Sequence, residues 1–312
     1  MNRIKYILSI AFIAISLTIF SQEKYTVRVL QVLSNEDVID NYILPDELDS
    51  ITFNKINIYN ISAIPSDYAR GSASVYPSQI EEGQSVTLYA SNYTSYRFEN
   101  WTLNGEIVST QASYTVTPNS NVQYVANFEH DYVDMGLPSG TKWSICNLGA
   151  KSPEEWGNHY SWGETSHKTY FTPNYTYDAQ TVIPDSLDAA KINWGSKWNI
   201  PTKEDWDELF DSKNTTMKVA EYNGKKVVSV TSIKNKNSII YLPIVGSSIS
   251  SLPNETGNED AASYWTSTGS LEETDKAYYA FFHINNSYVG AITMLNLKYW
   301  GMVIRPVVKV NK

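Results

Sequence analysis

The residues best equipped for chemistry gather in "KINWGSKWNIPTKEDWDELF" (191–210), where three tryptophans, a proline and a run of acids share twenty residues. Paired carboxylates are the minimum apparatus for cleaving a glycosidic bond. Glu154, Glu155, Glu164, Asp205, Asp207 and Glu208 are the acids available for it. Position gives most of them a simpler role. Glu154, Glu155 and Asp205 fall at expected helix starts, where the positive end of the helix dipole favours a negative side chain. Asp207 and Glu208 read as solvated charges on a helix face. Glu164, in "SWGET", is expected to pair with Arg305 of "VIRPV".

Other routes to catalysis find less. The chain has four histidines, His130, His159, His167 and His283, and no Gly-x-Ser-x-Gly elbow to hold a nucleophilic serine. Neither a zinc-type histidine pair nor a glycine-rich phosphate loop occurs. The single cysteine, Cys146 in "TKWSICNLG", reads as a small buried hydrophobe rather than a nucleophile. No catalytic residue, structural metal or cofactor is expected.

Binding is better served. Exposed tryptophan and tyrosine faces stack on sugar rings, and the chain has 23 tyrosines and nine tryptophans. The expected ligand contacts are Tyr264, Trp265, Tyr279, Tyr288 and Trp300 in late hairpins and Tyr175 in the loop "KTYFTPNYTYDAQ" (168–180). Strand alternation sends at least half of the hairpin set inward. The loop "LPNETGNED" (252–260) crowds Asn254, Glu255 and Asp260 into reach of a calcium ion, which takes clustered oxygens; a solvated polar loop is the simpler reading.

Bulk composition narrows the classes. With 42% hydrophobic and 18% charged residues, the 312-residue chain is that of a folded protein. Its net charge of −9, with no basic cluster, argues against a nucleic-acid partner. Arg3 and Lys5 followed by the apolar run "YILSIAFIAISLTIF" (6–20) read as a signal peptide over residues 1–21, cut after Ser21. No later segment is apolar enough to span a bilayer. The mature protein is therefore expected in the periplasm, on the cell surface or outside the cell, and with one cysteine it holds no internal disulfide.

Three regions must position these residues. A short β element is expected over 22–57. A small all-β module of four or five strands covers 58–129, with turns at Gly83 and Asn104-Gly105. The third region, 131–310, holds eight of the nine tryptophans. It shows helix starts at "SPEEW" (152–156), "SLDAAKINWG" (186–195) and "PTKEDWDELFDS" (201–212). Hairpins around Asn223-Gly224 and Asn285-Asn286 and a last strand over 300–310 follow. Short helices before hairpins predict an α+β domain.

Two resemblances sharpen this. The order "EGQSVTL" (82–88), "YRFENW" (96–101) and "ANFE" (126–129) resembles the divergent internalin-type B repeat, which implies a spacer or adhesive module without chemistry. From "VDMGLPSGTKWSICNLGA" (133–150) through "SPEEWGNHYSWGET" (152–165), "DAAKINWGSKWNIPTKEDWDELF" (188–210), "IYLPIVG" (240–246) and "SYWTSTGS" (263–270) to "GMVIRPV" (301–307), the chain resembles the Fibrobacter succinogenes major paralogous domain. That resemblance implies a C-type-lectin-like fold, in the group that includes formylglycine-generating enzymes. Those enzymes bind copper with two cysteines, and this chain has one. The calcium-loop tripeptides of sugar-binding C-type lectins are absent as well.

The expected function is thus a non-enzymatic exported envelope protein that binds a glycan or a surface protein, in an adhesion-type role. The competing readings are a structural or assembly component of a surface structure and a cryptic hydrolase.

Overall fold

A computed structural model describes residues 57–173, 181–245, 260–285 and 288–310. The expected signal peptide and nearly all of the element over 22–57 lie outside the described residues. The chain divides into two compact units. Of the described residues, one comprises those up to Ser91 together with Phe98–Asn127; the other comprises Asn92–Arg97 and those from Phe128 onward.

The first unit is built on eight strands: β1 (Ile58–Pro65), β2 (Gly71–Tyr76), β3 (Gln79–Glu81), β4 (Val86–Asn92), β5 (Tyr96–Leu103), β6 (Glu106–Ser109), β7 (Ser113–Val116) and β8 (Val122–His130). Of these, β4, β5 and β8 each have one end in the second unit. They form two sheets, in the orders β3-β1-β8-β5-β6 and β2-β4-β7. β1 and β8 run parallel, from Ile61 opposite Val122 to Pro65 opposite Ala126. Alternation along the strands sends Ile61, Ile80, Val86, Leu88, Trp101, Tyr124 and Ala126 inward. The β5–β6 turn places Asn104 at φ 51° and Gly105 at φ 87°, the two left-handed positions that a tight hairpin demands.

The second unit carries twelve further strands among the described residues. β9 (Tyr132–Asp134), β10 (Lys142–Ser144), β12 (Trp198–Asn199) and β20 (Val307–Val308) form the sheet β12-β20-β10-β9. β11 (His159–Tyr160), β16 (Ala261–Gly269), β17 (Lys276–Asn285), β18 (Tyr288–Leu297) and β19 (Met302–Val303) form the sheet β11-β19-β16-β17-β18. β13 (Thr215–Tyr222), β14 (Lys225–Ser232) and β15 (Ile239–Pro243) form a three-stranded meander. The expected turn at Asn223-Gly224 is present, with φ of 48° and 75°.

Two helices interrupt the strands. α1 (Ala189–Trp194) starts at Asp188, whose Oδ1 accepts the N–H groups of Ala190 (2.8 Å) and Lys191 (3.1 Å). Its other oxygen, Oδ2, accepts the N–H of Ile200 at 3.0 Å, tying the helix start to the chain beyond β12. α2 (Lys203–Phe210) has the full capping box of Thr202 and Asp205. The third expected helix does not form. Over 152–156 a single turn closes from Glu155 N to Ser152 O (3.2 Å), and Glu155 reaches back to Lys151 N. One turn is the unfavourable part of a helix and gains stability only by propagating. Here Gly157, at φ 73°, turns the chain away.

These outcomes correct the expected architecture. Strand makes up 50% of the described residues and helix 7%, so the fold they form is all-β rather than α+β, and the C-type-lectin-like arrangement implied by the resemblance is not what they display. The capping signals were genuine, but the helices they start span six and eight residues, and the sheets supply the layers.

The core of the second unit has two parts. Trp143, Trp206, Leu209, Val228, Leu242, Tyr264, Phe282 and Val303 fill the first. Tyr160, Trp162, Trp198, Trp265, Met302 and Ile304 fill the second. The central sheet lies between them, because neighbouring residues of β16 point to opposite faces: Tyr264 enters the first part and Trp265 the second.

Candidate functional site

All six acids singled out from the sequence are engaged by structural donors. Glu154 Oε1 accepts Asn223 Nδ2 at 3.1 Å. Burial pushes the Glu154 carboxyl up, yet hydrogen bonds from its own backbone, Asn223 and Ser152, with the Lys225 charge, outweigh it and hold the group below the usual range. Glu155 caps Lys151 N at 2.7 Å. Asp205 closes the capping box and pairs with Lys309 at 2.8 Å. Asp207 pairs with Lys203 and accepts Thr293 Oγ1 at 2.8 Å. Glu208 holds Ser139 through its backbone N–H (2.9 Å) and hydroxyl (2.5 Å).

The expected Glu164–Arg305 pair is absent. Glu164 pairs with Lys168 four residues on. Arg305 is fully buried and donates to the carbonyls of Ser144 (3.2 Å) and Tyr241 (2.7 Å). Cys146 is buried, and burial pushes its thiol above the ordinary value, opposite to what a nucleophile needs.

The expected aromatic ligand face disperses. Tyr264 is 0% exposed and donates its hydroxyl to Pro243 O at 2.6 Å. Trp265 is 1% exposed and donates Nε1–H to Tyr160 O at 2.8 Å. Tyr279 is buried beside Trp265. Trp300 is half-buried against the second part of the core. These rings face inward because both faces of the β16–β17 region are covered, so alternation offers no solvent side there. Of the described candidates only Tyr288, on β18, is well exposed, at 67%. Tyr175, Asn254 and Glu255 lie outside the described residues. Asp260 stands just before β16, where its carbonyl accepts the N–H of Ile284 at 2.8 Å. Among the described residues no cluster of three metal-ligating side chains occurs.

A different site emerges within the second unit. Tyr96, His130, Tyr160, Asn158, Asn193 and Trp194, with the backbone of 148–151, line a cleft of about 290 Å³. The His130 ring stacks on Trp194 at 3.7 Å, nearly parallel at 13°, and Tyr96 tilts against it from 4.8 Å. Trp198 braces Trp194 edge-on at 5.1 Å. α1 positions the wall: Trp194 and Asn193 are its last two residues, and Gly195 ends it. The Asn193 amide is fixed by donating to Ala189 O (2.8 Å) and Thr165 O (3.0 Å).

The amide of Asn158 lies over Gly149. A β-carbon on Gly149 would meet Asn158 Nδ2 at 2.4 Å, and the φ of 85° is itself costly for any other residue. Gly149→Ala is therefore expected to destabilise the protein by about 1–2 kcal/mol from the backbone alone, and to displace Asn158 from the cleft. Thermal unfolding with amide NMR of Asn158 checks both effects.

The cleft combines ring edges, two carboxamides and the exposed Lys151, a set suited to a neutral ligand rich in hydroxyl and amide groups. Its volume is near the lower end of ligand sites, ~300 Å³, enough for one sugar ring. A wider opening of about 650 Å³, lined by Tyr132, Asp134, Gly136, Lys234, Asn235 and Ser238, is more open to solvent. Its one aromatic ring, Tyr132, already lies under the Arg97 guanidinium at 4.0 Å.

Sequence reasoning missed this cleft. It placed Trp194 and Gly195 at a helix end and stopped there. No spacing signal links Asn158 or His130 to that end, because strand pairing and the Gly149 turn bring them together. Among the described residues, no helix is long and apolar enough to cross a membrane. Residues 64–132 match the divergent InlB B-repeat domain family. No curated protein and no solved structure matches the chain.

Proposed function

We propose that this chain is a non-enzymatic, exported protein of the bacterial envelope whose C-terminal region binds a glycan through the cleft beside Trp194. The observation that carries the reading is a stacked aromatic wall beside the Asn158 and Asn193 carboxamides, the latter held by its own hydrogen bonds, in one small opening. Export is supported by the basic start and apolar run of residues 1–21, and a spacer role by the repeat over 64–132. The ordered motifs from 133 to 307 support kinship with the Fibrobacter succinogenes major paralogous domain. A non-enzymatic role is supported by the use of all six candidate acids as caps, ion pairs and turn anchors.

The test is titration of the full chain with a panel of mono- and disaccharides, read by tryptophan fluorescence and saturation-transfer NMR. Binding is expected in the millimolar range, and Trp194→Ala should weaken it roughly tenfold, the loss of about 1–1.5 kcal/mol of ring contact. Asn158→Asp, which keeps the shape but removes the amide donors, should weaken it as well. A glycan array with no response from the native chain would overturn the reading, as would binding indifferent to both substitutions.

A further inference from the structure

β18 is a sheet edge of an unusual kind. It pairs with β17 residue for residue over ten partners, from Lys276 opposite Leu297 to Asn285 opposite Tyr288, with no bulge. It is the last strand of its sheet, so among the described residues no strand is bonded to its other side. Among the described residues, no backbone hydrogen bond runs from Tyr288–Asn296 to anything but β17. Its sequence, "YVGAITMLNL", contains neither charge nor proline.

Proteins guard such edges with charges, proline, bulges or short length, because an open row of N–H and C=O groups templates further pairing. The other edges of the second unit follow that rule. β13 carries Lys218 and Glu221, β15 is five residues long and ends at Pro243, and β11 and β12 are two residues each. β18 has none of these guards. Its outward side chains are apolar as well: Tyr288 is 67% exposed, Ile292 56% and Met294 43%, with the half-buried Phe281 opposite Ile292.

We propose that β18 pairs with β18 of a second copy of this chain, antiparallel about a two-fold axis, continuing the sheet across the dimer. The side-chain pattern selects this occupant, and charge permits it. At a net charge of −9 two copies repel over most of their surface, and β18 is a ten-residue strip where they meet without like charges opposed. The side-chain pattern is self-complementary about Ile292. Centring the axis there sets Ile292 against Ile292, Gly290 against Met294 and Tyr288 against Asn296, all on the outward face. The Tyr288 ring already lies over Gly290, 3.3 Å from where a β-carbon would sit. The Met294 thioether of the second copy therefore falls at a ring edge, a favourable sulfur–aromatic contact. Nine paired residues, 288–296, span about 30 Å, which puts the interface at the small end of specific contacts and the dimer in the micromolar range, on the order of 10–100 µM.

Sedimentation velocity of the full chain from about 1 to 300 µM tests this. The native chain is expected to shift from monomer to dimer across that range. Ile292→Lys places two ammonium groups face to face and should raise the dissociation constant at least about tenfold, with an unchanged far-ultraviolet spectrum. Thr216→Lys, on the guarded β13 edge, should leave it unchanged. If Ile292→Lys fails to fold, Met294→Lys and concentration-dependent amide-exchange protection over 288–297 read the same contact. A chain that stays monomeric throughout would overturn the proposal. So would a dimer insensitive to these substitutions, and so would a monomer whose β18 instead takes up an unrelated extended peptide.

Discussion

Trp206→Ala is expected to lower the unfolding free energy by about 3–5 kcal/mol, the range for truncating a large buried aromatic. Trp206 projects from α2 into the centre of the first part of the core and is completely buried. Four rings close on it: Trp143 at 4.5 Å, Tyr264 at 5.4 Å, Phe210 at 5.6 Å and Phe282 at 5.9 Å. These neighbours come from separate elements, so a cavity there cannot collapse by moving one of them. Among the described residues the Trp206 indole N–H finds no acceptor, and burying an unpaired donor costs stability. Trp206→Phe removes that donor while keeping most of the ring contact. It should therefore cost far less than the alanine, within about 1.5 kcal/mol of the native chain. Urea unfolding of both variants checks the order; equal losses would mean that ring packing at this position carries little.

Arg305→Ala is expected to cost a similar amount, about 3–5 kcal/mol, for a different reason. The side chain is fully buried, and it donates to the carbonyl oxygens of Ser144 and Tyr241. Burial opposes the charge and lowers the guanidinium's proton affinity, while contact with the Tyr264 hydroxyl offsets part of the cost. Alanine leaves a cavity and two carbonyls stripped of their donors. Arg305→Met fills the volume and removes the buried charge, so it should recover part of the loss. Chemical denaturation ranks the three proteins. Methionine as damaging as alanine would show that the carbonyl bonds dominate; methionine equal to arginine would show that they contribute nothing net.

Much of the local structure was legible in the sequence because its causes are local. The capping box at Thr202 and Asp205, the stop at Gly195 and the left-handed Asn223-Gly224 turn each depend on residues within four positions of one another. The turn at "SPEEW" failed as a helix for an equally local reason, the positive φ at Gly157, which a capping pattern alone does not reveal. The fold class was misjudged because helix signals are sharp and short-strand signals weak: pairs such as β19 and β20 are two residues each and exist only through their partners.

The aromatic candidates show the same division. Alternation correctly implied that neighbours such as Tyr264 and Trp265 part to opposite faces, but which face meets water depends on what covers it. The sequence by itself determined the repeat over 64–132, the turn and cap positions, the burial of Cys146 as a small apolar side chain, and the exclusion of a two-cysteine site. The tertiary structure alone decided three things. It covered both faces of the β16–β17 region, left the β18 edge without a bonded strand among the described residues, and gathered Tyr96, His130, Asn158 and Trp194 around one cleft. The physical reason is that turns and caps are contests between neighbours along the chain. Burial and clefts are settled by contacts between residues as far apart as Tyr96 and Trp194, whose meeting no local propensity encodes.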